Sequence, residues 1–236
     1  MSPIKRKRQD EDEDGWMHIS DMMSVLMMIF LFISVAYMFE VRRERDNMHN
    51  IAAAYHELQV QLYIDLQEEF KDDLNQWNAI IDKKDLSIRF QEPDVLFDAG
   101  SFKIKEDFIT ILNDFFPRYI NLLSSPKYIN NIEEIRIEGH TSTEWSTNVD
   151  EDTAYQLNMK LSQDRTREVL AYCLSMLKGS QKDWTKYRLT ANGLSSSKII
   201  YKENDSQEDK ILSRRVEFKA RTNTADIIDQ ILNQNE

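Results

Sequence analysis

The 25 residues from Gly15 to Phe39 carry one formal charge, that of Asp21. A helix needs about 20 apolar residues to cross the hydrocarbon of a bilayer, so this run commits one segment to a membrane before any folded domain is considered. Its borders are sharp. Upstream lies the polar block from Lys5 to Asp14, and downstream comes Glu40-Val41-Arg42-Arg43-Glu44-Arg45-Asp46. Trp16 and Tyr37 stand where interfacial aromatic residues belong. Lys5, Arg6, Lys7 and Arg8 precede the span while Arg42, Arg43 and Arg45 follow it, a narrow positive-inside preference for a cytoplasmic N-terminus. The rival reading is a signal peptide, with Met22 to Ile33 as its apolar region and Ser34-Val35-Ala36 as its cleavage site. The acidic residues ahead of the apolar run, and an aspartate at its leading edge, argue against it.

A carboxylate inside a bilayer is costly and persists only if it is protonated, ion-paired or turned toward a polar protein surface. Asp21 shares a helical face with Ser24 and with His18 one turn earlier, a polar strip on a helix otherwise rich in Met, Ile and Phe. Asp21 and Ser24 are therefore the candidate ion-binding residues. The competing role for Asp21 is that of an interfacial helix N-cap.

Beyond the span, Ile51, Tyr55, Leu58, Leu62, Leu66, Phe70, Leu74, Trp77 and Ile81 recur at spacings of three or four without Gly or Pro, predicting a long amphipathic helix. Its apolar stripe needs a partner, either a second copy in a parallel coiled coil or the following domain; pairing is the favoured arrangement. Leu86 to Phe90 alternates as a strand. Ile104 to Leu123 has helical periodicity, to be bent or ended at Pro117. Ile132 to Glu138 reads as a half-buried strand and Ala154 to Leu177 as a second helix closed by Gly179. Tyr187 to Ala191 and Val216 to Ala220 are the remaining strands, and Ala225, Ile228 and Leu232 suggest a terminal helix. A β-α-β-α-β-β order predicts an α+β layer, with two helices on one face of a small mixed sheet.

The net charge of −11 excludes bulk nucleic-acid binding, because phosphate neutralisation needs clustered Lys and Arg. The single cysteine, Cys173, sits in an apolar helical setting and excludes an intrachain disulfide. No Ser/His/Asp arrangement, glycine-rich phosphate loop or metal-spaced Cys/His cluster is present, so neither catalysis, a resident metal nor a cofactor is expected.

Two stretches resemble known families. Asp21 to Leu31 is similar to the ion-carrying helix of the flagellar stator family of MotB, where an aspartate precedes a Met- and Phe-rich run, and more weakly to ExbD and TolR. Asp94 to Ala220 resembles OmpA-like domains: Val95-Leu96-Phe97-Asp98-Ala99-Gly100-Ser101 is like their opening strand. Ile135 to Thr141 is like the central strand ending in GHT, and Asn158, Leu161, Ser162 and Arg165 follow their N-x-x-L-S-x-x-R pattern. Ser213 to Glu217 is like their closing N-R-R-V-E. This resemblance implies peptidoglycan binding, with Arg165 on the free carboxylate of a diaminopimelate unit. Asn158, Leu161, Leu157, Thr141 and Ser142 would line the same groove. The family's Asp after GHT, which takes the stem's amino group, is Ser142 here. Either Glu144 or one of Asp150, Glu151 and Asp152 substitutes, or the ligand is held more weakly. The GHTS-x-EW form and the acidic block before Asp21 most resemble the ZorB family of Zorya anti-phage systems.

The resemblance implies a peptidoglycan-anchored B subunit of an ion-driven inner-membrane complex, with two B chains inside a ring of five MotA- or ZorA-like multi-span chains. A flagellar stator protein or a passive envelope tether is the alternative. The transported ion, H+ or Na+, is left open. The expected organisation is a cytoplasmic tail over 1–14, a transmembrane helix over 15–39, a periplasmic linker helix over 40–85, an OmpA-like βαβαββ domain over 86–222 and a helix or tail over 223–236.

Overall fold

The computed structural model describes residues 3–91, 93–145, 149–202 and 205–222. It divides after Ala53 into two compact units. The expected terminal helix at Ala225 to Leu232 lies outside the described residues.

Helix α1 (Pro3–Phe70) contains the apolar run. From Ile19 onward it is long and apolar enough to cross a membrane, and Met22, Leu26, Phe30 and Phe39 are exposed along it, as side chains facing lipid would be. No charge other than Asp21 interrupts the stretch from Ile19 to Phe39.

In the second unit the last turns of α1 are core. Leu62, Leu66 and Phe70 are fully buried and cluster with Phe108, Phe115 and Phe218. The stripe's partner is therefore the domain for these three positions, and the favoured pairing with a second copy does not apply to them. The helix also stops earlier than its periodicity predicts. Leu74 and Trp77 lie in the turns that follow, and Ile81 is on strand β1 (Ala79–Asp82). The stop involves no Gly or Pro: in the turns after Phe70, Trp77 packs back against Phe70 and Phe115, at ring distances of 5.8 and 6.0 Å, and Asn78 at φ 45° leads into β1. Arg118 fastens this corner, donating to Glu69 Oε1 and the Glu69 carbonyl at 2.8 and 2.6 Å and to Asp73 at 2.9 Å.

The chain continues through strand β2 (Ser87–Phe90), the one-turn helix α2 (Pro93–Leu96), helix α3 (Glu106–Leu123) and strand β3 (Ile132–His140). Helices α4 (Glu151–Met176) and α5 (Gly179–Lys186), strand β4 (Leu189–Gly193), the short α6 (Lys210–Ser213) and strand β5 (Arg215–Thr222) complete it. The sheet order is β1-β2-β5-β3-β4, with only β3 and β4 parallel, as the α4 crossover between them requires. This is the expected α+β layer with one strand more, because β1 joins the sheet ahead of residue 86.

Helix α3 runs through Pro117 instead of ending there, because Phe115, Phe116, Tyr119, Ile120 and Leu123 are all buried and hold the turns on both sides. The expected strand from Val95 to Ser101 is also not one. Phe97 bridges Ile104 once, and between them Gly100 turns the chain at φ 68°. Helix α4 ends at Met176, before Gly179, which begins α5. Cys173 is buried, as its apolar setting predicts, and burial pushes its thiol pKa up.

Alternation splits the sheet into two faces. Ile88, Phe90, Ile135, Ile137, Val216 and Phe218 point into the core shared with α3 and α4. Arg89, Arg136, Glu138, Glu217 and Lys219 occupy the opposite face, where Arg89 pairs with Glu217 and Lys219 with Glu138 across strands and Arg136 with Glu138 along β3.

Candidate functional site

The C-terminal end of β3, the first half of α4 and the turn entering β5 converge on a cleft of about 400 Å³. Two glycines make the convergence possible. A Cβ on Gly139 would come within 2.6 Å of Thr166 Cγ2, and one on Gly193 within 2.3 Å of the Gln163 backbone nitrogen. Without side chains there, α4 lies directly on the ends of β3 and β4. Ser162 then joins the pieces, its Oγ donating to the Met159 carbonyl at 2.9 Å and accepting from the Ser195 N–H at 3.1 Å. Asn158, which is 3% exposed, donates its side-chain amide to the carbonyls of Ser142 and Glu144 at 3.2 and 3.3 Å. Asn158 therefore holds the loop after β3 in place and Ser162 the turn after β4.

Arg165 is the cation this scaffold presents. Its Nε donates to the Ser101 carbonyl at 2.8 Å and its Nη2 to the Asp98 carbonyl at 3.0 Å, and the guanidinium lies 4.7 Å above the Phe97 ring. These contacts fix its plane but supply no negative charge. Arg214 lines the same cleft and is held through its Nε on the Lys210 carbonyl at 3.0 Å. Burial, and then the neighbouring charge of Arg214, push the Arg165 pKa down to about 10. Two guanidiniums line one cleft, and among the described residues neither pairs with a carboxylate, an arrangement suited to an anion.

Of the residues expected in the groove, Thr141, Ser142, Asn158, Leu161 and Arg165 line the cleft. Leu157 is half-buried on α4 and stands outside that lining. Thr141 and Ser142 are nearly buried, at 4% and 3% exposure, and Thr141 Oγ1 has no hydrogen-bond partner. Among the acids considered for the place of the missing aspartate, only Glu144 lines the cleft. Asp150 caps α4, accepting from the Thr153 N–H and Oγ1 at 2.9 and 2.8 Å, while Glu151 and Asp152 are exposed on the first turn. Sequence reasoning did not single out Arg214. Its signal lies in the dyad of the closing motif, since adjacent residues entering a strand point to opposite sides and Arg215 is taken by Glu217.

Asp21 and Ser24 lie one turn apart on α1, and Ser24 Oγ donates to the Ser20 carbonyl at 2.9 Å. That bond leaves the hydroxyl oxygen free to accept or coordinate. The side chain of His18 lies outside the described part.

Behind the cleft, Glu138, His140 and Glu217 bring their ligand-type atoms within 4.8 Å of one another. Glu217 Oε1 already accepts from Arg215 Nε at 2.6 Å and Arg89 Nε at 2.8 Å, and Lys219 stands 3.5 Å from Glu138. Any divalent cation would have to displace these charges, so the cluster fits an ion-pair network better than a metal centre. Burial, and then Arg215, pull His140 down to about 3, which keeps the ring neutral.

Residues 96–212 match the OmpA family. The Zorya protein ZorB of Escherichia coli is 46% identical over 217 residues, which cover 92% of this chain and 91% of that protein. A MotB-like protein of Desulfovibrio vulgaris shares the fold, with a TM-score of 0.50 and 22% identity over 71% of this chain and 93% of that one.

Proposed function

This chain belongs to the ZorB family of Zorya proteins, and from that we propose that it is the peptidoglycan-anchored B subunit of an ion-driven inner-membrane motor acting in anti-phage defence. It crosses the membrane once, with its N-terminus in the cytoplasm and its OmpA-like domain in the periplasm. Two copies stand inside a ring of five MotA- or ZorA-like multi-span subunits. The ring supplies the polar surface that one span cannot supply for a membrane carboxylate.

The observation that supports this reading is the union, on one chain, of Asp21 in a membrane-length helix with a cleft lined by Arg165. A passive tether needs the cleft and the span but has no use for the carboxylate. A charge moving through the membrane field gains about 2.3 kcal/mol per 100 mV, enough to drive a conformational step. Asp21→Asn keeps the shape and removes the charge cycle. Cells carrying it should lose protection from phage while the protein inserts at normal abundance, and Asp21→Glu should retain part of the activity. Full protection by the Asn variant would overturn the transducer reading.

A further inference from the structure

Ile51 is buried where nothing in the core accounts for it. It is 7% exposed, whereas Ile29 and Ile33 on the same helix are 53% and 61% exposed and Met48, within one turn of it, is 70% exposed. A helix covers little of its own isoleucines, so another part of the chain must lie over this one. The core cluster is not that part. Its first member is Leu62, with Leu58 packed against it, and it includes neither Ile51 nor Tyr55. The end of β5 comes closer, since Thr222 lines a groove of about 570 Å³ together with Tyr55 and Gln59 of α1. Residues 223–236 continue from that point. Their apolar residues Ala225, Ile228, Ile231 and Leu232 recur at helical spacing. Their charged side chains, Asp226, Asp229 and Glu236, are all acidic, and α1 has Arg42, Arg43 and Arg45 ahead of Ile51.

We propose that residues 223–236 fold back along α1 as an amphipathic helix, with their apolar stripe seated on Tyr55 and Ile51 and their acids toward the arginines. The lengths agree. At 1.5 Å per residue these 14 residues span about 21 Å as a helix, while the path along α1 from Gln59 back to Ile51 is about 12 Å. The segment therefore reaches past Ile51 toward Arg45. Opposite charges at that end favour this seat over a purely apolar one. The α1 stripe is then covered within one chain in two parts: the domain takes Leu62, Leu66 and Phe70, and the C-terminal segment takes Ile51 and Tyr55. A second copy is the competing occupant, because the same stripe could pair in a parallel coiled coil.

The test uses the full chain in detergent, with Cys173→Ala so that an added cysteine reports alone. Ile51→Cys should react with a maleimide at least about tenfold more slowly than Met48→Cys, because a covered site reacts only through local opening. Removing residues 223–236 should bring the two rates to within about twofold of each other. Ile228→Asp combined with Leu232→Asp should do the same without shortening the chain, and a cooperative thermal transition checks that each variant is folded. A peptide of residues 223–236 added to the shortened chain should restore slow labelling. Labelling of Ile51→Cys as fast as that of Met48→Cys in the full chain would overturn the proposal, and so would slow labelling that survives both the truncation and the double substitution. Oxidation of Ile51→Cys to a disulfide-linked dimer would also overturn it, giving this face to a second copy.

Discussion

Arg165 shows how a single side chain is fixed in the wall of a cleft. Two of its donors are spent on the carbonyls of Asp98 and Ser101, which leaves its other N–H groups for the cleft that it lines. Arg165→Ala should abolish pull-down by purified sacculi, and Arg165→Lys should lose most of it, because an ammonium cannot hold both carbonyls and still present a planar fork. Unchanged binding in the alanine variant would place the groove elsewhere. His140 acts on stability instead. It titrates near 3 in the folded domain, against an ordinary value of 6.5, so between these values the folded state holds fewer protons than the unfolded chain. The His140 contribution is then constant well above pH 6.5 and falls on acidification, by at most about 1.4 kcal/mol per pH unit. Hydrogen bonds and neighbouring cations hold Glu217 and Glu134 below their ordinary values against the pull of burial, so they add to the loss only at lower pH. Urea unfolding of a fragment beginning at Ala54 should show this slope between pH 6.5 and 5, and His140→Gln should flatten it. A slope that survives the substitution would assign it to another group.

At the scale of elements, the tightest joint is α4 on the ends of β3 and β4. Gly193→Ala would drive a methyl group into the Gln163 backbone, which has no rotamer by which to yield. A cost of about 1–3 kcal/mol is expected in urea unfolding, in the range of overpacked core sites; a loss within about 0.5 kcal/mol, as at an indifferent surface site, would show that the helix shifts freely. Elements with strong periodicity were legible in advance: α3, α4 and strands β2 to β5 all fall where alternation or helical spacing puts them. The misreadings share a cause. Trp77 and Ile81 kept helical spacing with the residues before them, yet they reach the core from a turn and from β1, because spacing records which residues are apolar and not the path that joins them. Pro117 was read as a stop, but the aromatic residues on either side are buried deeply enough to carry the helix past a missing hydrogen bond. The cleft was legible in Thr141, Ser142, Asn158, Leu161 and Arg165, whereas Arg214 and the choice of Glu144 over Asp150 depend on which loops meet.

For the whole molecule, the consequence lies in where the OmpA-like domain begins. A fragment starting at residue 86 omits Leu62, Leu66, Phe70 and Trp77, all buried. At about 1.5–3 kcal/mol for each large apolar side chain, their loss amounts to about 6–12 kcal/mol, comparable with the whole stability of a small domain. A fragment of residues 54–236 should therefore unfold cooperatively and bind sacculi, whereas one of residues 86–236 should lack a cooperative thermal transition; equal melting of the two would remove α1 from the core. The same burial means that a cysteine at Leu62 cannot report pairing of two copies. What the sequence by itself determined is the membrane-length segment with its one carboxylate, the sheet-and-helix composition of the domain and most of the residues that line the cleft. These follow from runs, periods and short spacings, which are local quantities. Only the tertiary structure decided that Leu62, Leu66 and Phe70 of the α1 stripe are covered by their own domain, that the cleft has Glu144 as its acid, and that Arg214 lines the cleft with Arg165. Each of these depends on surfaces brought together from distant parts of the chain, where burial and charge choose among partners that local pattern leaves equivalent.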